Sequence, residues 1–128
     1  MNFLKTASAL LLSCVVSLAS AGEIKPFTQQ AFDKLTSAGQ SVVVDVTAPW
    51  CPTCRAQKPI LEDLMSLPAY ADVTLLTVDF DSDKPTLRRF KVHMQSTLIA
   101  FKGKTEVARS VGDTSPAGIE SLIEMAVK

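Results

Sequence analysis

The chain has 128 residues, with 13 Lys and Arg against 13 Asp and Glu, so its formal net charge is zero. Aromatic residues make up only 6% of it and are dispersed, which argues against the basic, aromatic-lined surface of a nucleic-acid-binding protein. A chain of this length forms one domain with a modest core, and no repeat or change in composition indicates a second domain.

The first 21 residues have the pattern of a secretory signal peptide. Lys5 precedes an apolar run, 7–18, that is too short to cross a bilayer comfortably, and the segment ends in the small residues that signal peptidase recognises. We expect cleavage after Ala21, which leaves a single domain, 22–128, in an oxidising compartment. A retained anchor and lipid anchoring at Cys14, within a loose lipoprotein-box match, are the alternatives.

Removal of the predicted signal peptide changes the charge and the cysteine content of the chain. It takes away Lys5 and no acidic residue, so 12 Lys and Arg face 13 Asp and Glu and the formal net charge becomes −1. It also takes away Cys14. The two remaining cysteines are too few for a disulfide-built scaffold, so the hydrophobic core must carry the fold.

The first half of the remaining chain alternates helix and strand. A helix begins after Thr28, its N-cap, and ends at Gly39. The β-branched run 41–48, SVVVDVTA, is typical of a strand buried on both faces. A second helix is predicted over 55–67, with Pro59 expected to kink it. Its predicted buried face consists of Ala56, Ile60, Leu61, Leu64 and Leu67.

The second half continues the same alternation. A buried strand is predicted over 73–80, a short helix over 84–92 and a hairpin over 97–111 that turns at Gly103. The last helix begins after Ser115, with a proline in its first position. If a short strand precedes the first helix, the order is βαβαβαββα, which predicts an α/β sandwich with a mixed sheet.

The stretch TAPWCPTCRAQKP contains Cys51 and Cys54, spaced C-x-x-C. A structural zinc site needs four ligands, and the only histidine is His93, about forty residues further on. A disulfide that closes a four-residue loop constrains the unfolded chain little. Cys51 falls between a buried strand and a helix start, where free N–H groups stabilise a thiolate. A redox couple is therefore favoured, and metal binding and a structural disulfide remain as alternatives.

The segment 42–61, VVVDVTAPWCPTCRAQKPIL, resembles the active-site region of the thioredoxin family, and the similarity continues over the rest of the predicted domain. The resemblance implies a thioredoxin fold: a three-layer α/β/α sandwich with a central mixed sheet flanked by four helices. It also implies reversible thiol–disulfide exchange without a bound cofactor. Cys51 would be the exposed nucleophile, Cys54 the buried resolving thiol, and Trp50 a packing platform beside them.

Asp45 lies inside the strand that precedes the cysteines. A buried carboxylate is costly unless it is paired or protonated. One interpretation places Asp45 at a wet, inert end of the sheet. The interpretation that the family resemblance supports is a buried acid of raised pKa that relays a proton to or from Cys54. The family often places a lysine near this acid, and the matching position here is Thr77.

Two further polar features are interpreted as solvated rather than catalytic. His93 is a lone histidine in a predicted loop and is not assigned a catalytic role. Asp79, Asp81 and Asp83 form an acidic run that resembles a calcium-binding cluster, but a solvated strand end and turn is the favoured interpretation.

The sequence departs from the family pattern before the strand that faces the cysteines. Where the family has a cis-proline, this chain has Ser96, preceded by Gln95 and followed by Thr97. Because a non-proline cis peptide costs about 2.5–4 kcal/mol, we expect Gln95–Ser96 to be trans. The Ser96 hydroxyl would lie close to the sulfurs and could bond a thiolate. The resemblance assigns client docking to Trp50, Pro52 and these three residues.

Pro52 and Thr53 resemble the pair in reducing thioredoxin-like proteins of cytochrome c maturation, whose C-P-T-C is also followed by Arg-Ala. That resemblance implies a reductant of oxidised client proteins, recharged by a membrane thiol electron transporter. The predicted signal peptide indicates the periplasm as its location, and we expect a monomer. Two other classes stay open. One is a metal or iron–sulfur cluster shared by the C-x-x-C pairs of two chains, and the other is a binding module that has lost exchange activity.

Overall fold

A computed structural model describes residues 20–128 together with Val15 and Leu18. Nearly all of the predicted signal peptide, including Cys14, lies outside the described residues. The strands are β1 (Glu23–Pro26), β2 (Ser41–Thr47), β3 (Val73–Asp79), β4 (Thr97–Lys102) and β5 (Thr105–Val111). The helices are α1 (Gln29–Ser37), α2 (Pro52–Met65), α3 (Lys84–Phe90) and α4 (Pro116–Val127), with a short 3₁₀ turn at Pro68–Tyr70. The predicted order, with its short first strand, is confirmed.

The five strands form one mixed sheet in the order β1-β3-β2-β4-β5. β1 and β2 run parallel to β3, whereas β4 is antiparallel to both β2 and β5. β2 is therefore the central strand, with partners on both sides. This position explains its run of valines, because a central strand covered on both faces has no solvent-facing side for polar residues.

Helices cover both faces of the sheet. Val42, Val44 and Val46 pack with α1 and α3 in one core cluster, whereas Val43 packs with α2 and α4 in the other. Successive side chains in a strand point to opposite faces, so Asp45 faces the α2 and α4 side, as Val43 does. The three-layer α/β/α thioredoxin fold with four flanking helices is confirmed.

Helix α2 begins at the carboxyl end of β2 and continues through Pro59 to Met65 without interruption. Its predicted buried face was partly wrong, because Ala56 is exposed and Leu67 lies beyond the helix with 42% of its surface exposed. The residues that α2 buries are Cys54, Gln57, Leu61, Leu64 and Met65. Within the described part of the chain, no helix is long and apolar enough to span a bilayer.

Candidate active site

The two cysteines lie where the central strand meets α2. Cys51 is the N-cap of α2, and Cys54 lies in its first turn. The two residues are joined by a disulfide, with their Cα atoms 5.2 Å apart. The Cys51 Sγ atom also accepts a hydrogen bond from the Cys54 N–H, at 3.1 Å. The first N–H groups of a helix have no partner within the helix, so the sulfur of Cys51 occupies the position of a capping oxygen.

The expected exposure of Cys51 is wrong for the disulfide form. Cys51 is 1% exposed and Cys54 is 4% exposed, so the two sulfur-bearing residues are equally buried. Both pack in a small cluster with Ala48 and the partly buried Phe80. The spacing of the cysteines places them on α2 correctly, but their exposure depends on neighbours that are distant in the sequence.

Trp50 stands at the rim of this cluster with 53% of its surface exposed. Its indole N–H donates to Asp81 Oδ2 at 2.7 Å, and Asp79 Oδ1 accepts the Asp81 N–H at 2.8 Å. The acidic run lies at a strand end and turn, which is the interpretation that the sequence favoured. Asp83 caps α3 by accepting the Thr86 N–H. Asp81 nevertheless has a role that the sequence did not reveal, because it holds the indole beside the cysteines.

Asp45 is buried near the cysteines, and the interpretation that placed it at a wet sheet end is wrong. It is 8% exposed, and its Oδ1 atom has no hydrogen-bond partner among the described residues. Burial raises the pKa of Asp45 from its usual 3.8 to about 6. Thr77 is its neighbour across the β2–β3 pair, so the position that often holds a lysine in the family carries no charge here.

A cavity of about 600 Å³ is lined by both Asp45 and Cys54. Its lining includes Asp45, Thr77, Cys54 and Lys58. Water needs only about one probe sphere of space and polar partners to occupy such a cavity. Asp45 and Cys54 therefore border one space that is large enough to hold water.

Ser96 has an unusual backbone. No peptide bond within the described residues is cis, so Gln95–Ser96 is trans as expected. Ser96 has φ 57°, a left-handed conformation that costs a non-glycine residue roughly 1–2 kcal/mol. Its N–H donates to Val46 O at 2.8 Å, and its carbonyl accepts the Gly112 N–H at 3.0 Å. Proline could not replace it here, because proline fixes φ near −65° and has no N–H.

The other predicted docking residues differ in exposure. Trp50 and Pro52 are exposed and Gln95 is half-buried, whereas Ser96 and Thr97 are 5% and 2% exposed. The Ser96 hydroxyl donates to Gln95 O at 2.6 Å. In the disulfide form this hydroxyl is therefore directed to a carbonyl and not to a sulfur, unlike the expected thiolate contact.

Gln57 is a site residue that the sequence did not reveal. It is 1% exposed, and its Nε2 donates to Asp113 O at 2.8 Å and to Ser96 O at 3.3 Å. It follows Cys54 by three residues, so one helix turn carries both the redox pair and this link to two loops. The signal in the sequence was a glutamine on the buried face of α2, where the helix otherwise buries apolar residues and Cys54.

Replacing Gln57 with methionine, which has a similar length but no donor, is expected to destabilise the protein by about 1 kcal/mol. The change removes two hydrogen bonds to carbonyls, of which the Ser96 carbonyl keeps its bond from Gly112. Chemical denaturation of the disulfide form measures the effect. Gln30→Met, at an exposed position of α1, is the matched control and should change the stability little. Equal stabilities of the Gln57→Met variant and the parent would contradict the prediction.

The described residues, 20–128 with Val15 and Leu18, contain no candidate metal site beside the redox pair. His93 is exposed, as expected for a loop histidine. Across the part of the chain that the structure describes, no three side chains of His, Cys, Asp or Glu cluster closely enough to hold a metal ion.

Comparison with known proteins relates this chain to one family. The family model described as thioredoxin covers residues 23–125. The thioredoxin of Chlamydia pneumoniae is 38% identical over 101 residues, which are 78% of this chain and 95% of that protein. The thioredoxin of Chlamydia muridarum is 42% identical over 82 residues, which are 64% of this chain and 78% of that protein.

A solved structure agrees with these relatives. Trxlp from Edwardsiella tarda EIB202 is 39% identical with a TM-score of 0.77, and the match covers 79% of this chain and 98% of that one. The match thus extends over almost the whole of that protein and over most of the residues described here. With its C-x-x-C pair at the start of α2, the chain belongs to the thioredoxin family and is a thiol–disulfide oxidoreductase.

Proposed function

We propose that the chain reduces disulfides in client proteins through a dithiol–disulfide cycle of Cys51 and Cys54. The observation that carries this proposal is the hydrogen bond from the Cys54 N–H to Cys51 Sγ at the start of α2. The same N–H and the helix dipole favour negative charge at that sulfur, which stabilises the Cys51 thiolate once the disulfide opens. Cys51 is accordingly the nucleophile, and Cys54 is the resolving thiol.

The exchange proceeds in two displacements. The Cys51 thiolate attacks one client sulfur, a bond forms between the two sulfurs, and the client disulfide breaks to release its other sulfur as a thiolate. The Cys54 thiol then loses its proton and attacks Cys51 Sγ. The Cys51–Cys54 bond forms, and the second client sulfur leaves as a thiolate. The client gains two electrons, and the chain loses two.

Asp45 is proposed as the acceptor of the Cys54 proton. A carboxyl with a pKa of about 6 is ionised for the most part near neutral pH, yet it still holds a proton well enough to return it. Asp45 and Cys54 line the same cavity, so the proton passes between them through water. Because Thr77 adds no positive charge beside Asp45, burial alone sets the raised pKa of this acid.

Client docking is proposed at the rim formed by Trp50, Pro52 and the loop before β4. The backbone N–H and carbonyl of Ser96 already bond to Val46 and Gly112. An extended client that pairs with this loop therefore uses the peptide groups of Gln95. Ser96 and Thr97 contribute by shaping the loop and not through exposed side chains.

The direction of electron flow is proposed from Pro52 and Thr53, whose resemblance to reducing thioredoxin-like proteins favours a reductant supplied by a membrane thiol transporter. A redox titration in a dithiol buffer, read by Trp50 fluorescence, tests this proposal. A midpoint near −270 mV is expected, whereas a midpoint near −120 mV would indicate an oxidant that forms disulfides. A chain without a reversible transition would be a binding module instead.

A periplasmic location is proposed from the first 21 residues. The supporting features are Lys5, the short apolar run and the small residues up to Ala21. Expression of the full chain in a bacterium, followed by fractionation and intact mass measurement, tests the location. A periplasmic product that begins at Gly22 is expected. A membrane-bound product acylated at Cys14 or an uncleaved cytoplasmic product would contradict it.

A further inference from the structure

Helix α3 presents a basic face beside the redox site. Lys84, Arg88 and Lys91 are spaced at i, i+4 and i+7, which places them along one side of the helix and its end. Together with His93 they line a groove of about 630 Å³ whose apolar lining is Phe80, Leu87 and Val92. None of the residues that line this groove is acidic.

Two neighbouring arginines form ion pairs with acids, whereas the cations of this groove form none within residues 20–128. Arg89 binds Asp33 at 2.7 Å, and Arg109 binds Glu106 at 2.7 Å. Arg88 and Lys91 form no ion pair with any residue between 20 and 128. The ammonium group of Lys84 donates to a backbone carbonyl and lies 4.8 Å from the centre of the Phe80 ring. An arriving carboxylate would therefore displace no acid among the residues that the structure describes.

Acidic residues do lie near the groove, on the turn that precedes α3. Asp81 and Asp83 are held by hydrogen bonds from the Trp50 indole and the Thr86 N–H, and Asp79 accepts the Asp81 N–H. These three acids are outside the groove lining. Their carboxylates place negative charge at the end of the groove that is nearer to Trp50. The groove therefore attracts anions most strongly at its other end, where Arg88 and Lys91 lie.

The groove is continuous with the redox site through Phe80. This ring lines the groove and also packs against the cluster of Ala48, Cys51 and Cys54. At the other edge, His93 is followed by the exposed Met94 and then by Gln95 of the docking loop. A client segment that crosses the docking loop can therefore extend over the groove without leaving the surface.

We propose that this groove selects clients whose reducible cysteine is flanked by an acidic segment with apolar side chains. The carboxylates would face Arg88 and Lys91, and the apolar side chains would lie on the partly buried ring of Phe80. This inference rests on the proposed reductase function and names its class of substrate. Exposed ion pairs are individually weak and are screened by salt, so the selection acts mainly on encounter and docking.

Two synthetic peptides test the proposal. They carry the same disulfide and the same apolar residues, but one has Glu and Asp in the flank and the other has Gln and Asn. The reduced full-length protein is mixed with each peptide, and its oxidation is followed by Trp50 fluorescence at low and high salt. The acidic peptide is expected to react about fivefold faster at low ionic strength, and the difference should disappear at about 1 M salt.

A pair of charge-reversal variants locates the effect. Arg88→Glu combined with Lys91→Glu is expected to remove the preference for the acidic peptide. Lys102→Glu combined with Lys104→Glu changes the net charge by the same amount, at exposed positions at the other end of the sheet from the cysteines. The control is expected to keep the preference. If both double variants lost the preference for the acidic peptide equally, the net charge of the protein alone would attract that peptide. This result would overturn the proposal.

Failure of the reductase function is distinguished by a binding measurement. Cysteine-free versions of both peptides carry a fluorophore, and their anisotropy is measured with the protein in its disulfide form. If neither disulfide peptide is reduced but the acidic version binds more tightly, the groove is supported and the reductase proposal fails. If both peptides are reduced at equal rates and bind equally, the groove proposal is overturned and the reductase proposal stands.

Discussion

Replacing Cys51 with serine is expected to abolish disulfide exchange completely, whereas replacing Cys54 with serine is expected to trap clients. Serine at 51 offers an alcohol where the first displacement needs a thiolate, so no mixed disulfide forms. Serine at 54 leaves the first step intact but removes the resolving sulfur. The covalent adduct between Cys51 and the client then accumulates. Non-reducing electrophoresis and intact mass measurement after mixing with a model disulfide protein detect the adduct.

The controls separate chemistry from folding in this experiment. Ala56→Ser adds a hydroxyl at an exposed position of α2 and should exchange normally. Thermal unfolding of each variant, compared with the reduced parent, shows whether it remains folded. An adduct formed by the Cys51→Ser variant through Cys54 would reverse the proposed order of attack. A folded Cys54→Ser variant that traps nothing would favour a binding module without exchange activity.

Asp45→Asn is expected to flatten the dependence of stability on pH. In the folded protein the pKa of Asp45 is about 6, and its usual value is 3.8. The folded state therefore holds this proton more tightly than the unfolded state. The resulting stability is fully present below pH 3.8 and is lost as the pH rises through 6. For a group this buried, the loss amounts to about 3 kcal/mol by pH 8.

The measurement is the free energy of unfolding in guanidinium chloride between pH 4 and pH 8, with the disulfide intact so that no thiol titrates. The parent should lose about 2 kcal/mol over this range relative to the Asp45→Asn variant, because part of the full effect is already lost at pH 4. Asp72→Asn, at an exposed position, is the matched control and should follow the parent. If the Asp45→Asn and parent curves are parallel, burial does not raise the pKa of Asp45 in the folded protein.

Local sequence patterns predicted the fold well. Thr28 and Ser115 cap their helices as the sequence indicated, because a hydroxyl before a helix accepts a free N–H whatever the tertiary fold. The valines of β2 identified the central strand, since only a strand covered on both faces is apolar on both. The C-x-x-C spacing and Asp45 also located the redox site, because these features lie within one short segment of chain.

The remaining parts of the site depend on contacts between distant segments. Gln57 acts through carbonyls 39 and 56 residues away, and no local pattern encodes such a pairing. The left-handed backbone of Ser96 is held by Val46 and Gly112, not by any preference of serine. Ala56 was assigned to the buried face of α2, but the direction of that face was set by packing against α4 and the sheet. Tertiary packing overrides such local assignments.

The burial of the disulfide has a kinetic consequence. With Cys51 and Cys54 only 1% and 4% exposed, a small thiol that collides with the closed protein meets almost no sulfur surface. Attack then requires a brief local opening of the buried cluster around the disulfide, whose frequency the protein itself sets. At high concentrations of a small reductant, the observed rate therefore stops rising and equals the opening rate. A docked partner that stabilises the opened form is not subject to this limit, so we expect the oxidised chain to exchange electrons with a docked partner faster than with small thiols in solution.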